Sequence, residues 1–122
     1  MILSFAETTE ALLAGAKTVT RREWHPNHAR KFTAGAPVQA WDKTPRVKGA
    51  KRVGTIRLTA SPVLESTSLL RPEDWADEGF EYMTEHDQAV FGERPLDVWL
   101  DWVTRPRDLW VVRFELVGVV GS

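Results

Sequence analysis

Apolar and polar positions alternate with period two in three stretches of this chain, and recur with a helical period in others. Ile2 to Phe5 is a short apolar run that predicts a strand. Thr8 or Thr9 caps a helix running through Ala14, with Glu10 in its first turn and Gly15 as the stop. Val19 to Trp24 is rich in strand formers, and His25-Pro26-Asn27-His28 breaks it. Gly35-Ala36 turns the chain into a strand over Pro37 to Asp42, where Val38 and Ala40 share one face. A basic loop follows from Lys43 to Ala50. In Arg52 to Pro62, Ile56, Leu58 and Ala60 alternate with Thr55, Arg57 and Thr59.

The second half changes period. Pro72 suits the first turn of a short helix through Ala76 that ends near Gly79. Thr84 and Asp87 predict a further short turn stopped by Gly92. Pro95 opens a clearer helix, in which Leu96, Trp99, Leu100 and Val103 recur at i, i+3, i+4 and i+7 and define a buried face. Pro106 ends it. Leu109 to Val120 is the longest predicted strand. Trp110, Val112, Phe114 and Leu116 point one way, and Arg113 and Glu115 share the other side with Val111 and Val117. Strands mostly adjacent in sequence, with few long crossovers, predict an α+β fold: a small mixed or antiparallel β-barrel decorated by short helices. The 122 residues read as one domain.

Charge changes this picture by its distribution. Sixteen basic and 17 acidic residues leave a net charge of −1, which argues against coating long nucleic acids by bulk electrostatics. Basic residues crowd the first half, from Arg21 to Arg57, and acidic ones the second, from Glu65 to Glu93. A polar or anionic ligand between the two is one reading. Mutual long-range neutralisation is the other. The absence of cysteine excludes disulfides and cysteine-based zinc sites. The start has no basic leader, and no apolar run approaches the roughly 20 residues of a membrane span. A cytoplasmic protein with no membrane partner is expected.

The candidate chemistry lies in Gly15-Ala16-Lys17-Thr18-Val19-Thr20-Arg21-Arg22, directly after a predicted helix stop. This segment resembles the Gly-x-Lys-x-x-Thr-x-Arg pattern of the ASCH domain, in the PUA-like superfamily of small β-barrels. Phe32 to Trp41 is similar to that family's glycine turn into a barrel strand, although Ala36 stands where an Asp often follows the glycine. Trp75-Ala76-Asp77-Glu78-Gly79-Phe80, a helix and the final strand complete a resemblance that spans nearly the whole chain. Met83 to Arg94 is longer than the usual connection to the last helix, which makes the pocket rim individual to this protein.

The resemblance implies recognition of a nucleoside or short RNA. One bacterial branch hydrolyses N(4)-acetylcytidine with a Lys, a Thr and a Glu. Lys17 and Thr20 match the first two, and Glu78 is assigned to the third, with Asp77 as the alternative. Lys17 is then the base, which needs a depressed pKa from burial or from Arg21 and Arg22. Thr20 is nucleophile or positioner, and Glu78 the proton shuttle. Within one regular strand residues 17 and 20 face opposite sides, so Lys17 must lie before the strand to share a ligand with Thr20. Arg21 and Arg22 alternate, so at most one of them faces the pocket. Arg22 matches the family arginine and suits a phosphate or a bridge to Glu78. Trp24 and Trp41 flank the pocket, where either stacks on a base or packs in the core. His25 and His28 lack further metal ligands, and neither metal nor cofactor is expected. Two further readings remain: a non-catalytic RNA-binding module gripping phosphates through Lys43 to Arg52, and a metal-independent ribonuclease.

Overall fold

A computed structural model describes residues 1–121. The chain forms β1 (Ile2–Ser4), a 3-10 turn (Ala6–Thr8), α1 (Thr9–Leu13), β2 (Val19–Arg22), α2 (Pro26–Ala29), β3 (Pro37–Trp41) and β4 (Arg52–Leu58). Then come β5 (Val63–Ser66), a second 3-10 turn (Thr67–Leu69), α3 (Pro72–Asp77), α4 (Phe80–Glu85), α5 (Pro95–Thr104) and β6 (Asp108–Val119). The sheet runs β1-β3-β4-β6-β2, with β5 paired to β6 as well. Only β1 and β3 run parallel, Leu3 opposite Ala40, while the remaining pairs are antiparallel. Register shifts at Ala40/Trp41 and Thr55/Ile56 add local twist, and the mixed sheet curls into a half-barrel carrying short helices. The fold is α+β, as the periodicities predict.

β6 is the spine. It holds β4 through Leu58 opposite Phe114, β2 through Thr20 opposite Val112, and β5 through Val63 opposite Val111. Its burial departs from simple alternation. Val112 and Phe114 enter the barrel core, yet Leu109 and Val111 are buried too. Two clusters fill the molecule. One packs Leu3, Phe5, Leu12, Phe32, Ile56 and Phe114 among others inside the curl. The other packs Ala11, Phe80, Met83 and Val90 with Trp75, Trp99 and Trp102 between the helices. Adjacent residues of α1, Ala11 and Leu12, belong to one cluster each and join the two. Among the described residues no helix is long and apolar enough to cross a membrane.

Three local expectations are corrected. The buried face of α5 is Pro95, Val98, Trp99 and Trp102, whereas Leu96, Leu100 and Val103 are exposed. Both stripes have the same spacing, and the aromatic partners Trp75 and Phe80 decide between them. Thr8 and Thr9 do not cap α1 by accepting amide protons; their hydroxyls donate to the Phe5 and Ala6 carbonyls at 2.6 Å. His25 to His28 is more than a break, because His25 Nδ1 accepts the Asn27 N–H and opens α2. β5 and α4 have no clear sequence signal. β5 exposes both Val63 and Leu64, and α4 is a helix of six residues between glycine and charge.

Candidate functional site: a buried lysine between two sheet edges

Gly15 ends α1 in the left-handed region, φ +75°, and the Ala16 and Lys17 amides both donate to the Ala11 carbonyl. That tight turn leaves Lys17 ahead of β2, outside the strand's alternation. The Thr18 N–H then donates to the Asp77 carbonyl at 2.7 Å, docking the turn on the end of α3. Gly79 follows that end with φ +87°, and a Cβ there would stand 2.9 Å from the Ala11 Cβ and 3.2 Å from the Lys17 Cβ. A glycine is therefore what lets Glu78 reach Lys17.

Lys17 and Glu78 are 3% and 2% exposed. Lys17 Nζ donates to the Glu78 carbonyl at 2.9 Å and to Glu78 Oε2 at 3.1 Å. Arg21 Nη1 takes the other carboxylate oxygen at 2.7 Å. Behind it Asp74, 1% exposed, lies 3.4 Å from Arg21 Nη2 and accepts from Arg113 Nη2 and the Arg71 N–H, each at 2.9 Å. Burial pushes the Lys17 ammonium below its ordinary value; Glu78 opposes this, and Arg22 and Arg21 add to it. Burial alone would raise the Asp74 carboxyl, but the Arg71 amide, Arg113 and Arg21 outweigh it and hold the group low.

These groups border a cavity of about 580 Å³, the size of a small-ligand pocket. Lys17, Thr20, Arg21, Arg22 and Glu78 all line it. The expectation that at most one arginine faces the pocket is corrected, since both do. β2 is an edge strand, so Arg21 reaches sideways to α3 while Arg22 reaches across to β1. The expected bridge from Arg22 to Glu78 is corrected as well: Arg21 makes it, and Arg22 Nη2 donates to the Ser4 carbonyl at 2.7 Å. Arg22 Nε is buried without a partner among the described residues. Asp77 is half-buried and its carboxylate faces Arg113 at 3.8 Å, so Glu78 is the acid against Lys17.

Trp24 and Trp41 do not line the cavity. Trp24 stacks on Phe32 at 4.7 Å and meets the edge of His28, and Trp41 donates from Nε1 to Gln39. Trp24 lies beyond the end of β2 and packs on the barrel core, and Trp41 ends β3. The aromatic walls are instead Phe5, Phe80 and Trp102, with Phe91 at the rim. Trp102 lies on the α5 stripe that spacing alone does not single out. Asp74 was legible only as acid in the first turn of a helix. Lys43 and Thr44 bring the basic loop to the cavity. Among the described residues no three His, Asp or Glu side chains are grouped as a metal site.

No protein-family model matches this chain, and no curated relative matches it. Among solved structures it is similar to protein EF3133 from Enterococcus faecalis V583, described as DUF984. That comparison has a TM-score of 0.56 at 17% identity and covers 93% of this chain and 69% of the other. The likeness is one of fold.

Proposed function

We propose that this is an ASCH-like, cytoplasmic domain of the PUA-like type that binds a nucleoside or short RNA and hydrolyses the amide of an acylated cytosine nucleoside. The observation that carries this reading is a buried Lys17, held by Glu78 and biased toward its neutral form, in one cavity with Thr20. A neutral amine is a base, and burial shifts Lys17 toward that form while Glu78 opposes it. Lys17 takes the proton of the Thr20 hydroxyl or of a water, and that oxygen attacks the acetyl carbonyl. The tetrahedral adduct collapses with cleavage of the C–N bond. Glu78, hydrogen-bonded to Lys17, relays the proton to the leaving amine. If Thr20 is the nucleophile, water then cleaves its acetyl ester. Either route converts amide and water into acetate and cytidine, and needs no metal or cofactor.

A second reading has its own support. Lys43 and Thr44 sit at the cavity, so a phosphate beside a bound base would meet the basic loop. That fits a non-catalytic RNA-binding module. Ribonuclease action, with Lys17 steadying developing charge, is a third and weaker reading.

Chromatography of N(4)-acetylcytidine after incubation with native protein and Lys17→Met tests the first reading. Cytidine released by the native chain alone supports it. No release at high enzyme concentration removes that substrate and shifts the weight to RNA, whose binding weakens steeply with salt. Broken phosphodiesters would mark the ribonuclease.

A further inference from the structure

Phe91 is a poor surface residue by ordinary standards. It is 75% exposed, yet it stands at the cavity rim with φ +50°. A bulky side chain in the left-handed region is strained, and an exposed ring gains no burial to offset that strain. The segment around it is nonetheless fixed. Glu7 accepts the Phe91 N–H and Glu10 accepts from the Gln88 side-chain amide. Val90 and Glu93 exchange both backbone hydrogen bonds, at 2.7 and 3.0 Å, and Val90 is packed into the helical cluster. Two carboxylates of the first helical turns and a buried valine thus present the ring at one place over the opening.

The cavity it borders combines apolar walls with polar groups. Phe5, Phe80 and Trp102 supply apolar wall, while Lys17, Thr20 and Arg22 supply hydrogen-bonding groups. We propose that Phe91 is a ligand-stacking residue, and that what stacks on it is the planar heterocyclic base of a nucleoside lying in this cavity. The proposal rests on the nucleoside reading of the site, but not on hydrolysis. Bound base supplies the contact that the free protein lacks on the exposed ring face.

The test uses the full chain, with Phe91→Asn and Phe91→Tyr. Asparagine tolerates the left-handed backbone and removes the ring, so it separates strain from contact. Cytidine is the probe, titrated while its pyrimidine proton resonances are followed by NMR. Native protein is expected to move them upfield, as an aromatic face does. Phe91→Asn should weaken cytidine binding about tenfold. It should raise KM for N(4)-acetylcytidine by a similar factor, leave kcat near native, and leave Tm unchanged or higher. Phe91→Tyr should restore native binding.

Equal cytidine binding by native protein and Phe91→Asn overturns the proposal. So does a weaker Phe91→Asn that also melts several degrees lower and is not mirrored by rescue in Phe91→Tyr. Upfield shifts without any hydrolysis sink the amidohydrolase step and leave the stacking. Hydrolysis with an unchanged KM in Phe91→Asn does the reverse. Neither binding nor hydrolysis removes both.

Discussion

Arg22 on β2 donates through Nη2 to the main-chain carbonyl of Ser4 on β1 at 2.7 Å. In the order β1-β3-β4-β6-β2 these are the two outer strands, so one side chain ties the sheet's edges together. The guanidinium also lies 5.8 Å from the Phe5 ring centroid, and its Nε keeps a free donor direction. The half-barrel is clasped here rather than closed by a strand ladder, and the cavity occupies the seam.

Replacing Arg22 by Met should open that clasp. A charge-assisted hydrogen bond of this kind is worth about 1.5–3 kcal/mol. Urea denaturation should show a lower midpoint with an unchanged slope. In the nucleoside-binding reading, affinity should fall as well, because Arg22 lines the cavity.

Gly79→Ala should be more damaging than its size suggests. The new methyl meets the Ala11 and Lys17 side chains at 2.9 and 3.2 Å and forces alanine into φ +87°. Backbone strain and overpacking together should cost about 2–5 kcal/mol. In the amidohydrolase reading, hydrolysis should be lost even at temperatures where circular dichroism shows the variant folded, because Lys17 is displaced from Glu78.

Lys17 makes the stability pH-dependent in a direction that can be checked. Its pKa is lower folded than the ordinary 10.5, so the unfolded chain binds more protons between the folded pKa and that value. Its contribution therefore rises with pH across that window, by up to about 1.4 kcal/mol per pH unit. The stability difference between native protein and Lys17→Met should grow in favour of the native chain from neutral to alkaline pH. Guanidinium titrations at a series of pH values measure it. A flat difference would mean that Lys17 titrates normally.

Asp74 works in the opposite range. Its folded pKa is held below the ordinary 3.8, so its contribution is full above that value and is lost as pH falls through the folded pKa. Asp74→Asn should cost about 3 kcal/mol or more at neutral pH, since Arg21 and Arg113 lose a buried partner. The variant should also lose less stability than the native chain on acidification below about pH 4. Thermal melts at paired pH values read both effects.

The legible parts of this molecule are those set by local chemistry. Pro72 and Pro95 mark first helical turns, Pro37 opens a strand, and Gly15 stops a helix, because each residue restricts the backbone where it stands. The need for Lys17 to precede its strand was also visible, since strand alternation forbids any other way to join Thr20. Partner choice was not. Arg21 and Arg22 are the same residue type in adjacent positions, and only the placement of α3 beside β2 and of β1 beyond it gives Glu78 to the first and Ser4 to the second. The two stripes of α5 are likewise equal in spacing, and Trp102 faces the site because Phe80 packs on it 5.6 Å away. β5 carries too little buried apolar surface to announce itself.

Lys17 and Glu78 are separated by 61 positions, with β3 and β4 between them. The exposed Thr44 to Gly49 loop lies in that interval and divides the reactive groups cleanly: amine and hydroxyl before it, carboxylate after it. Half of this protein is then half a site. A chain severed in that loop would leave Lys17 and Glu78 on separate pieces, and their buried ion pair would form again only when the pieces found each other, making that contact a reporter of reassembly.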